Sequence, residues 1–324
     1  MCIRDSSSVN RYIGPPADHQ NPSPNKPIDI GFYEYQYPQD LKNLDVVYVA
    51  TEDAGRRDGS SWEDATSNFQ GALSALSDPA STQKKKKTIY VKAGEYTAPR
   101  VGDSGQVFSF SLNGNSEYLE SLTILGSCTG SNEIQDFSKP SVITVSPNSA
   151  GNTKTLLDCT TNGKNLRIEG FTLLNDGTED DTDEIGIKAT TSGGGNLTLK
   201  NIATRNNSGT GIDISEDGTV LIANTLFAAG GIGLKAGSNT TVVNATFANN
   251  GVDYDNSGTI PTIYNTVSWN ENNTLTSSPE NGNVAIDKDD VINNDPQKGP
   301  NFVDPNNNDI AKRDYSIRPS MSLL

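Results

Sequence analysis

Four segments decide the fold: LTLKNIATR (Leu197–Arg205), VLIANTLFA (Val220–Ala228), TTVVNATFA (Thr240–Ala248) and TIYNTVSW (Thr262–Trp269). Each centres on an asparagine, and Asn201, Asn224, Asn244 and Asn265 recur at intervals of 23, 20 and 21 residues. An aliphatic residue stands two places before each: Leu199, Ile222, Val242 and Ile263. Shorter alternating runs follow at Gly211–Ile214, Gly231–Leu234 and Gly251–Tyr254. Period-2 runs broken by Gly and Asn at a steady interval are the pattern of a solenoid, in which each repeat buries its face against its neighbours. An interval of roughly 22 residues is too short for paired-helix repeats. It suits coils of two or three short strands, stacked at about 4.8 Å.

Each asparagine shares the parity of the aliphatic residues around it, which predicts an inward amide at a turn. Buried amides need hydrogen-bond partners. Stacking one above the next supplies them, so the spacing predicts an internal ladder of Asn201, Asn224, Asn244 and Asn265.

Bulk composition narrows the function classes. The chain of 324 residues carries 40 Asp+Glu against 25 Lys+Arg, a formal charge of −15. An acidic chain excludes nucleic acid as the natural partner, because phosphate binding needs a basic surface. Cys2, Cys128 and Cys159 fit no metal or disulfide spacing, and no apolar run reaches the length of a membrane-spanning helix.

Along the chain, Met1–Ser6 resembles translated sequencing-adapter read-through from a metagenomic fragment, so residues 1–8 are expected to be a non-native leader. The run Ile28-Asp29-Ile30-Gly31-Phe32-Tyr33-Glu34-Tyr35 is followed by Val46–Val49, by Asp58-Gly59-Ser60-Ser61-Trp62 and by Thr88–Tyr96. In this order these motifs resemble the pectate-lyase-like right-handed parallel β-helix domains of bacterial secreted and surface proteins. The resemblance implies that residues 9–44 end one β-helix unit and continue as a linker. It also implies that residues 45–324 form a second unit, truncated at its C-terminus, within a longer chain of tandem units. An extracellular or cell-surface location follows from the same resemblance.

Phe69, Ala72, Leu73 and Leu76 fall on one face of a short helix, with Ser67 as its N-cap. A stacked coil has an open apolar end, so this helix is expected to close it, with Trp62 packed beside it. Lys84–Lys87 is read as a solvated loop ahead of the first strand. Leu122 and Ile124 anticipate Leu166 and Ile168 after 44 residues, which predicts two coils between them. The fold class is therefore all-β: a single-stranded, right-handed parallel β-helix of roughly eight to nine coils with a short N-terminal capping helix.

Chemistry is sparser than architecture. Residues alternating with Ile212, Leu234 and Tyr254 are expected to face outward. They include Asp213, Lys235, Asp253 and Asp255. Asp213 and Asp253 would lie two coils apart, about 9.6 Å, with Gly233 between. Inverting glycoside hydrolases need carboxyl groups about 6.5–9.5 Å apart with room for water. A lyase would instead use Lys235 beside Asp255 as base. The acidic run containing Asp180, Asp181, Asp183 and Glu184 offers carboxylates for Ca2+, although it lacks the EF-hand pattern. No cofactor is required by the sequence.

Alternating Asp and Lys on an exposed sheet are more often solubilising than catalytic. The first reading is thus a binding or adhesion protein that contacts polysaccharide or another surface, monomeric as a unit. A polysaccharide lyase or glycoside hydrolase is the alternative, and a structural stalk the third.

Overall fold

From Val46 to Asp287 each strand pairs in parallel with its equivalent one coil away, giving three all-parallel sheets; Cys2–Arg4 with Asn10–Tyr12 and Phe302–Asp304 with Asp314–Ile317 form two separate antiparallel pairs. The computed structural model describes residues 2–4, 10–12, 41–79, 85–99, 107–145, 155–175, 184–205, 209–255, 259–270, 275, 281–287, 302–304 and 314–317. The chain is a right-handed parallel β-helix, the hand that parallel crossovers adopt.

Each coil visits the first, second and third sheet in turn, then rises to the next coil. The first sheet has eight strands: Val46–Val49, Lys85–Lys92, Leu119–Cys128, Asn165–Glu169, Leu197–Lys200, Val220–Ala223, Thr240–Val243 and Thr262–Tyr264. The second also has eight, from Gly94–Thr97 to Val284–Asp287, and the third has six, from Phe108–Ser111 to Val252–Tyr254. Strict register stacks like on like. In the first sheet Val47, Ile89, Ile124, Ile168, Leu199, Ile222, Val242 and Ile263 form one inward column. Each of these side chains is buried, a contribution of about 1.5–3 kcal/mol apiece relative to exposure.

Register also corrects one expectation. Leu122 pairs directly with Leu166, and Ile124 with Ile168, so the 44 residues between them form one long coil rather than two. The extra length lies between strands, in segments that include Thr129–Pro140. Turn length varies freely as long as strand register is kept.

The four asparagines all take the left-handed conformation, with φ between 51° and 55°. Asn tolerates this region better than other residues with a Cβ. The left-handed residue interrupts the alternation, and the next residue takes the inward corner instead: Ile202, Thr225, Ala245 and Thr266 are buried. Asn224, Asn244 and Asn265 are exposed and Asn201 half-buried, so their side chains stand outside the coil, not inside as parity implied. They are nonetheless stacked. Asn224 Nδ2 donates to Asn201 Oδ1 at 3.1 Å, Asn244 to Asn224 at 3.2 Å and Asn265 to Asn244 at 3.2 Å. Asn201 Nδ2 donates in turn to Glu169 Oε1 at 2.7 Å, which ends the row.

Helix α1 (Phe69–Ser77) lies over the N-terminal end, where Phe69 packs on Phe108 and Phe171 at 4.9 and 6.2 Å. Its N-cap is Asn68, one residue after the expected Ser67, with Asn68 Oδ1 accepting from Gly71 N at 2.8 Å. Gln70 behaves as a short stretch of strand: its amide donates to Ser109 O at 2.7 Å and accepts from Ser109 N at 3.0 Å. The edge of the third sheet is covered in this way. Trp62 does not join the lid; it packs edge-on against Tyr48 at 5.0 Å.

Lys87 is the largest departure at this end. Instead of a solvated loop, Lys85–Lys92 is a strand, and alternation with Ile89 and Val91 turns Lys87 inward, fully buried. Its Nζ donates to Asp45 Oδ1 at 2.7 Å and to Leu44 O at 2.9 Å. Cys128 and Cys159 are buried free thiols. Burial pushes the Cys128 thiol up to about 11, which leaves it inert.

Candidate functional site

The outer face of the third sheet carries the strongest concentration of charge in register. Asp158, Lys188, Asp213 and Lys235 align one coil above another, and the same register carries on to Asp255. Signs alternate at every step. Neighbouring coils stand about 4.8 Å apart, so each charge has an opposite one directly above or below it. Lys235 Nζ lies 3.7 Å from Asp213 Oδ2. Burial pushes the Asp158 carboxyl up, with the Lys188 charge opposing that shift.

Asp253 does not belong to this face. It is fully buried, with Oδ1 accepting from Ser268 Oγ at 2.6 Å and from Asn270 Nδ2, and Oδ2 accepting from Leu275 N at 2.9 Å. The sequence reading placed it outward by alternation, but register shows why that fails. Asp253 occupies the corner position held by Gly211 and Gly233 in the two coils before. A Cβ on Gly233 would meet Asp253 O at 2.6 Å and the Phe247 ring at 2.8 Å, so that position faces the neighbouring coil and the interior. Glycine is required while another strand follows. Val252–Tyr254 is the last strand of its sheet among the described residues, and the Asp253 side chain there meets the backbone of Leu275 from the segment that follows. Ser268 assists: it continues the inward column of the stacked Phe227 and Phe247, and its small side chain leaves room for the carboxylate.

The expected acid pair therefore does not form. The carboxylates that do share the outer face two coils apart are Asp213 and Asp255, about 9.6 Å by strand spacing. Lys235 stands between them where a hydrolytic water would have to sit. As a base for a lyase, Lys235 is 52% exposed and held against Asp213, outside any cleft that would desolvate it.

Of the carboxylates proposed for Ca2+, Asp180, Asp181 and Asp183 lie outside the described residues. Glu184 is buried, its carbonyl accepting from Thr210 N at 2.7 Å. Among the described residues no group of three or more His, Cys, Asp or Glu side chains comes together to hold a metal.

A second constellation was not visible from the sequence. On the outer face of the first sheet, Tyr48 and Tyr90 stack at 5.5 Å, and both hydroxyls donate to Glu133, at 2.8 and 2.9 Å. Burial, with Glu133 second, pushes both phenols up to about 12. Glu133 arrives from a loop in which it and Asn132 both have positive φ, 57° and 48°. No spacing rule announces that approach across 85 residues. Tyr48 lies between Trp62 and Tyr90, while Tyr90 has Leu125 as its next neighbour in register. The ring faces are thus used within the cluster, which fastens the loop carrying Glu133 rather than offering a stacking platform.

A shallow cleft of about 500 Å3 borders the same face, lined by Lys86, Glu120, Thr123, Arg167 and Asn196. Its charges are also spoken for: Arg167 Nε donates to Glu169 at 3.0 Å, and Lys86 lies 3.7 Å from Glu120.

No protein-family model matches the chain, and no curated protein matches it. Among solved structures it is similar to the crystal structure of pectate lyase Pel9A, at 17% identity. The match covers 74% of this chain and 80% of that one, with a TM-score of 0.36. Among the described residues no helix is long and apolar enough to cross a membrane.

Proposed function

We propose that this chain is a secreted or cell-surface solenoid that contacts polysaccharide through its outer faces without cleaving it. One observation carries the non-catalytic reading. The charged column of the third sheet neutralises itself, Asp213 against Lys235, while Asp253 is buried in the last described strand of that sheet. General acid–base work requires groups held in the right protonation state beside an open reaction centre. A column of alternating, mutually paired charges serves solubility instead. What the solenoid does offer is length and regularity, suited to a partner that repeats. Tandem units in a longer chain would raise avidity further.

The test is incubation of the chain with acidic and neutral polysaccharides, with and without Ca2+. Reducing ends, absorbance of unsaturated uronate and retention on the same glycans are followed. Retention without new ends is the expected result. New ends with uronate absorbance would establish a lyase, and new ends alone a hydrolase. Neither retention nor cleavage would leave a stalk.

A further inference from the structure

The outer face of the first sheet changes character along its length. Near the N-terminal end it carries Lys86, Glu120, Arg167 and Glu169, tied into ion pairs. Beyond Lys200 the register aligns Leu221, Thr241 and Thr262 in one column and Ala223, Val243 and Tyr264 in the next. These six side chains bear no charge. Leu221 is 39% exposed and Tyr264 42% exposed, high values for large apolar side chains.

Directly beside this strip runs the row of asparagines, each one residue beyond the second column. A primary amide has two N–H donors and an oxygen with two lone pairs. The ladder uses one N–H and one lone pair of Asn224 and of Asn244. The second donor and second lone pair of each remain on the exposed side. The result is an uncharged apolar track edged by donor–acceptor pairs that repeat at about the strand spacing of 4.8 Å.

We infer that this strip, Leu221 to Tyr264 with the Asn224–Asn265 edge, binds a neutral, extended polysaccharide chain lying parallel to the solenoid axis. The inference rests on the polysaccharide reading above and names its site and ligand class. Sugar rings present apolar C–H faces to aliphatic and aromatic side chains, as Tyr264 and Leu221 would receive them. Their hydroxyls both donate and accept, as the free half of each amide requires. A sugar residue in an extended chain is close in length to one coil, so successive sugars would meet successive rungs. Charge decides the class. A polyuronate brings one carboxylate per sugar to a strip without cations, on a chain of net charge −15.

The test uses the full chain in affinity electrophoresis through hydroxyethyl cellulose, a neutral extended glucan, and through polygalacturonate. Leu221→Asp and Tyr264→Ala are compared with Asp213→Ala on the third sheet, with circular dichroism verifying that each variant is folded. Retardation by the neutral glucan is expected, little changed by salt. It should be weakened about tenfold or more by either strip variant and unchanged by Asp213→Ala. Retardation by polygalacturonate alone, or neutral binding indifferent to both strip variants, would overturn the assignment while leaving the polysaccharide reading intact. So would a self-associated chain in sedimentation that Leu221→Asp dissociates, since the strip would then be an interface between copies. Binding to neither glycan would remove both.

Discussion

Lys87 Nζ lies 2.7 Å from Asp45 Oδ1, with the lysine fully buried and the aspartate 37% exposed. Lys85 reaches the same carboxylate at 2.6 Å. Although partial burial opposes it, the two lysines hold the Asp45 carboxyl below its ordinary value. A buried ammonium costs much when unpaired, whereas exchanging it for an apolar side chain costs little. Asp45→Ala should therefore destabilise by roughly 2–3 kcal/mol, less than the full cost of breaking a buried pair because Asp45 itself is partly solvated. Lys87→Met should lie within about 1 kcal/mol of the parent. Urea midpoints measured on both variants check this; equal losses would mean that the pair itself, rather than the stranded charge, matters.

Asn224 has φ of 53° and bonds to the rungs on both sides. Backbone strain and ladder can be separated by two substitutions. Asn224→Gly keeps the backbone relaxed and removes the amide; Asn224→Ala removes the amide and strains the turn. Glycine should cost about 1 kcal/mol for the lost bonds, and alanine about 1–2 kcal/mol more. Thermal unfolding of the pair gives both numbers, and equal melting temperatures would show that the left-handed turn carries no strain.

How much of this was legible beforehand depends on what each inference relied upon. Stacking was readable because Ile222, Val242 and Ile263 repeat with one period, and strict parallel register converts a repeat into a column. Direction at the corners was not. Alternation assigned Asn224 inward and Asp253 outward, and both assignments reversed, because a left-handed residue in one case and a glycine-type corner in the other break the period of 2. Lys87 shows the converse: alternation would have placed it inside, but four consecutive lysines looked like solvent-facing loop. Glu133 under Tyr48 and Tyr90 arises from a long loop between strands, where no periodicity exists to read.

Tyr48 and Tyr90 link stability to alkaline pH. Their phenols are pushed up to about 12 in the folded chain against 10.0 for an ordinary tyrosine. A raised acid pKa means that the folded state holds the proton more tightly. The stabilisation is full below about pH 10 and is lost as pH rises from there toward 12. Phenolate absorbance should therefore show these tyrosines titrating late, with unfolding setting in over the same window. Glu133→Gln should move their titration back toward 10.0, only part of the way, since burial is the larger cause. Unchanged titration in that variant would mean that burial alone sets the shift.

Asp253 provides the sharpest contrast between architecture and catalysis. Its two oxygens accept from different obligate donors, Asn270 Nδ2 on one and Leu275 N on the other. Removing the carboxylate strands these buried donors, so Asp253→Ala should cost on the order of 3 kcal/mol. Asparagine at this site has the same shape but must turn its NH2 toward one of the two donors, so Asp253→Asn should still cost about 1–3 kcal/mol. Asp213→Ala, which breaks a half-exposed pair at 3.7 Å, should change stability by at most about 0.5 kcal/mol. The loss should also be local, because coils communicate mainly with their neighbours. Hydrogen exchange should accelerate at Val267–Asn270 and Val252–Tyr254 in the Asp253 variants while Ile89–Lys92 at the capped end keeps its protection. An acid serving catalysis would show the reverse: activity lost with the last coils undisturbed.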